Sequence, residues 1–207
     1  MGKPGNKLKP PEMEVRERLL TCATELFTQK GYAATTVREI VTGAGVTKPV
    51  LYYYFKNKEG IYLELFREPF SRLDALLEAL RDPQGTATVR LLRFSDQVFS
   101  LFVEHLQSAR LMYSIYYGPP QGAPFFDFDS HHRKFHEVVR RLIRDGIRRG
   151  EFKKGKVEDM MWAVVGAVNV VMEVQLCHPE MKMDRKDLAR ILRWILRGIS
   201  TRTKNGK

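Results

Sequence analysis

The stretch from Thr35 to Gly60, TTVREIVTGAGVTKPVLYYYFKNKEG, constrains the fold more than any other part of the chain, because each of its boundaries has a local physical cause. Thr36, with Glu39 three residues on, makes a capping box. The hydroxyl accepts the Glu39 N–H and the carboxylate reaches back to the cap, so a helix starts at Val37. Val37, Ile40, Val41 and Ala44 lie on one side at helical spacing. Gly43 and Gly45 then allow a reversal that a Cβ would resist. Thr47 is expected to cap the next helix, with Pro49 in its first turn giving up an N–H that has no intrahelical partner there. Val46, Val50 or Leu51, and Phe55 can turn inward. Thr47, Lys48, Tyr52 and Tyr53 are left pointing outward, with Tyr54 at the boundary. Three exposed tyrosines on a helix of about two turns would serve a merely solvated face poorly.

Periodicity elsewhere is helical throughout, and the whole reads as an all-α chain of about nine helices. Residues 1–11, rich in Gly, Pro and Lys, are expected to be a flexible basic arm. The first helix runs from about Glu12 to Lys30, with Val15, Leu19, Cys22, Ala23, Leu26 and Phe27 on one face and Gly31 as its stop. Asn57 caps a long helix in which Pro69 removes one backbone bond and should kink or break the run. Further helices are expected from Thr86 or Thr88 to Gln107, Ala109 to Tyr117, Ser130 to Arg149, Val157 to Leu176 and Arg185 to Ser200. Phe125, Phe126 and Phe128 sit in a loop that should fold over something apolar. The Val157–Leu176 helix is apolar on nearly all sides and must be covered on both faces, on one by the chain's own core and on the other by a partner subunit. Val165, Val168, Met172, Ile191, Ile195 and Ile199 are the expected interface. The tail, residues 204–207, should fray.

At 207 residues with 43% hydrophobic content the chain can bury a sizeable core. The net charge of +11 favours polyanionic partners, but residues 1–60 carry only ten Lys and Arg against six Glu, so the excess is spread along the chain. Cys22 and Cys177 lie in apolar helical patterns and read as buried free thiols rather than a disulfide. The N-terminus MGKPGNKLKPPE has no apolar core of a secretory signal, and Met160 to Leu176 is interrupted and too short for a membrane span. A cytoplasmic location is expected.

The segment AATTVREIVTGAGVTKPVLYYYFKNKEGIYLELF, with LFTQKGY upstream, resembles the amino-terminal signature of the TetR family of bacterial transcriptional regulators over residues 13 to 66. The resemblance implies a three-helix helix-turn-helix DNA-binding domain over residues 12–56 and a helical ligand-binding and dimerisation domain over 57–203. It implies a homodimer on an inverted-repeat operator in double-stranded DNA, acting as a repressor released by a mostly apolar small molecule. Matched to the family motif, Arg38 reaches a guanine edge, and Thr47, Lys48 and Val50 meet the major groove. Tyr52 and Tyr53 pack on sugar or donate to phosphates, and Thr36 and Lys58 clamp phosphates. Phe102, Met112, Tyr113, Tyr116 and Trp162 would line the inducer pocket, although each alone reads as core.

His132 and His136 are i, i+4 neighbours beside His131, Asp127 and Asp129. Such a pair is common on solvated helices, and no metal or other cofactor is expected. There is no Gly-rich phosphate loop, H-E-x-x-H or G-x-S-x-G pattern, so an enzyme is not expected. The alternative function is a DNA-binding structural or interaction protein whose C-terminal domain holds a protein partner instead of a ligand. An enclosed pocket favours the first reading, and a solid core with an exposed apolar patch the second.

Overall fold

The computed structural model describes residues 14–79, 84–118, 122–181 and 183–201. The expected arm, the start of the first helix at Glu12 and the frayed tail lie outside the described residues. Among those described there are nine α-helices: α1 (Val15–Ala34), α2 (Val37–Gly43), α3 (Lys48–Phe55), α4 (Lys58–Ala79), α5 (Ala87–Glu104), α6 (Leu106–Tyr116), α7 (Phe128–Arg148), α8 (Val157–Cys177) and α9 (Arg185–Ile199). A single 3₁₀ turn, Pro179–Met181, precedes α9. The chain divides into two compact units: residues 1–65 with 111–124, and residues 66–110 with 125–207.

In the first unit α1 packs on α2, and α2 on α3. Leu19, Ala23 and Phe27 of α1 are buried, as their spacing predicts, together with Ile40, Val41, Leu51, Phe55, Ile61 and Tyr62. The Phe27, Tyr32 and Tyr62 rings meet pairwise at 5.0 to 5.5 Å, two of the pairs edge-on. Gly31, at φ 82°, ends the regular part of α1 as expected.

The second unit is built from longer helices. α7 lies against α8, and α5 touches α7, α8 and α9. Its core takes Leu91, Phe94, Val98 and Phe99 from α5, Phe135, Val138, Val139, Leu142 and Ile143 from α7, and Val164, Val165, Val168 and Val171 from α8. Leu188, Leu192 and Leu196 complete it from α9, with Ile191, Ile195 and Ile199 half-buried beside them. Inside this core Arg90 Nη1 holds Asp145 Oδ2 at 2.6 Å, both side chains nearly sealed from water.

Several boundaries differ from the sequence reading. α4 runs through Pro69 without a break, since one missing bond is carried by the turns on either side. α5 stops at Glu104, three residues early, and α7 starts two residues early, because Asp127 accepts the Ser130 N–H at 3.0 Å and draws Phe128 into the helix. Phe128 then sits edge-on to Phe66 at 5.0 Å. α8 has 21 residues and is, among the described residues, apolar and long enough to cross a membrane by length and composition, contrary to the expectation from Met160 to Leu176. Here its Val164, Val165, Val168 and Val171 are buried against neighbouring helices. Cys177 is exposed rather than buried, and Cys22 is half-buried.

Candidate nucleic-acid interface

The first unit presents a short helix, α3, whose inner side is fixed and whose outer side is bare. Its neighbour α2 begins with the capping box read from the sequence: Glu39 N donates to Thr36 Oγ1 at 3.3 Å, and Thr36 N donates to Glu39 Oε2 at 2.9 Å. Thr36 Oγ1 also gives its hydrogen to Glu39 Oε2 at 2.7 Å. Lys30 pairs with the other carboxylate oxygen. The Lys30 and Thr36 hydrogen bonds hold the Glu39 carboxyl down to about 2. Thr36 thus serves as the cap of α2, with its hydroxyl hydrogen on Glu39 and its side chain exposed.

The turn after α2 closes tightly. Val46 N donates to Val41 O at 2.9 Å, and Gly45 adopts φ 65°. A Cβ on Gly43 would fall 2.3 Å from Cys22 Sγ, so this glycine is where α1 and α2 touch. Thr47 takes the N-cap position of α3 but its side chain makes no cap bond, against expectation, and is exposed. Leu51 and Phe55 are buried, and Val50 is half-buried. Lys48, Tyr52, Tyr53 and Tyr54 are exposed, Tyr53 to 83%, with Tyr53 and Tyr54 edge-on at 5.1 Å. Tyr54, at the boundary in the sequence pattern, thus joins the outer side. Arg38 is exposed on α2.

Three residues that seat α3, Lys56, Gly60 and Arg16, were not singled out from sequence, and a fourth, Lys58, holds backbone partners that the sequence did not suggest. Lys56 turns the chain at φ 65°, and Asn57 Oδ1 accepts Gly60 N at 2.7 Å to start α4. A Cβ on Gly60 would lie 1.9 Å from Phe55 O, so the KNKEG segment needs glycine there for the end of α3 to sit on α4. Arg16 reaches Glu64 at 2.6 Å and lies over the Phe55 ring. Lys58 donates to Tyr32 O and Thr35 O, both at 2.9 Å, with its ammonium 4.1 Å from the Tyr32 ring centre. It ties the end of α1 to the start of α4 and keeps one N–H uncommitted to these carbonyls. Periodicity could not have found this, because the partners are backbone oxygens of a distant turn.

The sequence model described as "Bacterial regulatory proteins, tetR family" matches residues 19–65, from within α1 to within α4. A second, "Tetracyclin repressor-like, C-terminal domain", matches residues 87–191, half of the chain. The chain belongs to the TetR family. It is similar to the HTH-type transcriptional activator FasR of Mycolicibacterium smegmatis, 38% identical over 53% of this chain and 49% of that protein. It thus spans about half the length of that relative. It is also similar to the HTH-type transcriptional repressor KstR2 of the same organism, 27% identical over 72% of this chain and 73% of that one. Among solved structures, the TetR family transcriptional regulator PfmR of Thermus thermophilus superposes with a TM-score of 0.68 at 26% identity, over 89% of this chain and all of that one.

The remaining predicted residues of this family member are scattered. Phe102 is buried and Trp162 is 56% exposed, both in the second unit. Met112 and Tyr113 are half-buried and Tyr116 exposed in the first. Val165 and Val168 are fully buried by their own chain and have no surface left for a partner; the outer side of α8 is formed instead by Trp162 and Val170, and that of α9 by Trp194. Met172, Ile191, Ile195 and Ile199 keep partial exposure. A cleft of about 310 Å³ between α4 and α7 is lined by the charged Asp74, Glu78, Lys134, Glu137 and Arg141 and by the apolar Leu77 and Val138.

The histidines take separate partners. His131 lies 3.2 Å from Asp74 and His136 edge-on to Trp162. Burial, with neighbouring charges, lowers the pKa of His132 and His136 and favours their neutral forms.

Proposed function

We propose that this protein is a transcriptional repressor that binds an inverted-repeat operator as a homodimer in the cytoplasm and leaves it when a mostly apolar small molecule binds the C-terminal domain. The observation that carries this reading is the bare outer side of α3, with Thr47, Lys48, Tyr52 and Tyr53 exposed above a buried Leu51 and Phe55. The free Thr47 hydroxyl, Lys48 and Val50 open the recognition helix and meet base edges, with Arg38 bidentate to a guanine. Tyr52 and Tyr53 take sugar and phosphate, and the remaining N–H of Lys58 a phosphate. A relative named as a repressor supports the sign of regulation.

Selection of bound duplexes from a random pool, followed by profiles of variants, tests the reader. Arg38→Ala or Lys48→Ala should relax base preference at particular positions by about 1–3 kcal/mol, whereas Lys58→Ala should weaken all duplexes alike. If Arg38→Ala keeps the wild-type profile, its base-reading role fails. For the dimer, the outer side of α8 and α9, with Val170 and Trp194 exposed beside Ile191, Ile195 and Ile199, supports a four-helix interface. Val170→Glu with Trp194→Glu should give monomer in sedimentation; a dimer that still binds operator overturns that interface. For induction, the inducer site is proposed to lie in the helical C-terminal domain. A compound that releases operator must be weakened by operator in equal measure, because linkage is reciprocal. Failure of every apolar compound to shift operator affinity would put the protein-partner reading in its place.

A further inference from the structure

We propose that the end of α7 and the loop after it form a second phosphate-binding surface, indifferent to sequence, that holds a second segment of duplex DNA. The proposal extends the DNA-binding reading above and is tested separately from it. Residues 133–156 carry ten Lys and Arg against three Asp and Glu, a net +7 of the chain's +11. The reading head, residues 14–65, carries seven against six, a net +1. Most of the net attraction for a polyanion is therefore carried by residues 133–156 and little of it by residues 14–65.

Two of the three acids in the basic segment are turned to structural work. Asp145 is buried with Arg90, and Glu151 Oε2 accepts Ala87 N at 2.6 Å to cap α5. Only Glu137 stays in water, holding Arg140 and Arg144. The cations stay outside: Arg148, Arg149, Lys153, Lys154 and Lys156 are all exposed, Lys153 Nζ donating to Gly198 O and Lys156 lying 3.5 Å from Asp159. Arg148 and Arg149 are aligned by Asp145, with N–O distances of 2.5 and 3.1 Å.

The loop that carries the lysines is fastened. Phe152 is buried against Gly146, where a Cβ would fall 2.4 Å from its ring, and Lys153 N donates to Ile199 O at 2.8 Å. No large apolar side chain is exposed between residues 133 and 156, so a bilayer would find nothing to bury. A protein interface would want an aromatic anchor and few lysines, and this surface offers the reverse. Regularly spaced phosphates of a duplex fit a fixed cluster of Arg and Lys, and the proposed function brings such a duplex to the protein.

The test saturates the full-length protein with a short unlabelled operator duplex and adds a fluorescent duplex of unrelated sequence. The second duplex should be captured, with affinity falling steeply as salt rises. The variant Lys153→Gln, Lys154→Gln, Lys156→Gln should lose about tenfold in capture and about three from the slope of log affinity against log salt, with operator affinity unchanged. Capture by the variant equal to wild type, or no capture by wild type, overturns the proposal. So does equal, lysine-dependent binding to phosphatidylglycerol vesicles or polyglutamate, which would mark an unspecific anion surface. Arg38→Ala with Lys48→Ala separates the two readings: unrelated-duplex capture should survive in this variant even where no operator is found, and its loss would return all DNA binding to α3.

Discussion

The two units achieve order by opposite means. In the first, α2 and α3 have seven and eight residues, too short to persist as isolated helices. Their exposed residues must stay available to a partner, so burial cannot stabilise that side. Order is drawn instead from backbone devices: the Thr36–Glu39 box, the Gly60 seat under Phe55 and the two carbonyls held by Lys58. In the second, helices of 15 to 21 residues share a continuous apolar core, and the costly element is one ion pair sunk inside it. A surface built for recognition is held from behind by polar geometry, and a scaffold is held by area.

The sharpest way to break this contrast is Asp145→Ala. It leaves Arg90 charged and unpaired inside the core and should cost about 3–5 kcal/mol in urea unfolding, far more than any single change to the reading head. A loss near that of an exposed pair would show that water reaches the site. Burial pushes the Asp145 carboxyl up, but Arg148, Arg149 and Arg90 outweigh it and leave it below the ordinary carboxylate range. Its contribution is therefore present above the unfolded-state pKa and lost as pH falls through the lower folded value; the wild-type stability curve should fall on the acid side, and Asp145→Asn should flatten that fall.

Gly60→Ala comes next. Its methyl collides with Phe55 O, and the displacement of α3 should cost about 1–3 kcal/mol. Operator binding should be lost while the oligomeric state measured by sedimentation is kept. Full operator affinity in this variant would show that the end of α3 is not held by this contact. Thr36→Ala removes one cap and should cost about 1 kcal/mol, read as a lowered urea midpoint with an unchanged slope. The smallest effect is the titration of Glu39. With its pKa held near 2, the capping box should persist from neutral pH until the acidity approaches that value, and a carboxyl NMR shift that moves near pH 4.5 would show the box open in solution.

Much of the reading head was legible because its signals are local. The capping box, the reversal at Gly45 and the outward Tyr52 and Tyr53 each depend on residues within a few positions of one another. The helix pattern of α7 and α9 was legible too, since Phe135, Val138, Leu142 and Leu188, Leu192, Leu196 repeat at helical spacing and are buried. Less legible was which partner some other groups would choose. Thr47 looked like a cap and makes no such bond, and Lys58 holds Tyr32 O and Thr35 O, two backbone partners that the sequence around it does not suggest.

α8 shows the same limit most plainly. Its composition, apolar on nearly every side, determined that the helix must be covered, and covered on more than one face. Composition could not say which valines the chain covers itself. That was decided by the packing of α5, α7 and α9, which buries Val165 and Val168 completely and leaves Trp162 and Val170 outside, because a helix's rotation about its own axis is set by the shapes of its neighbours and not by its own periodicity.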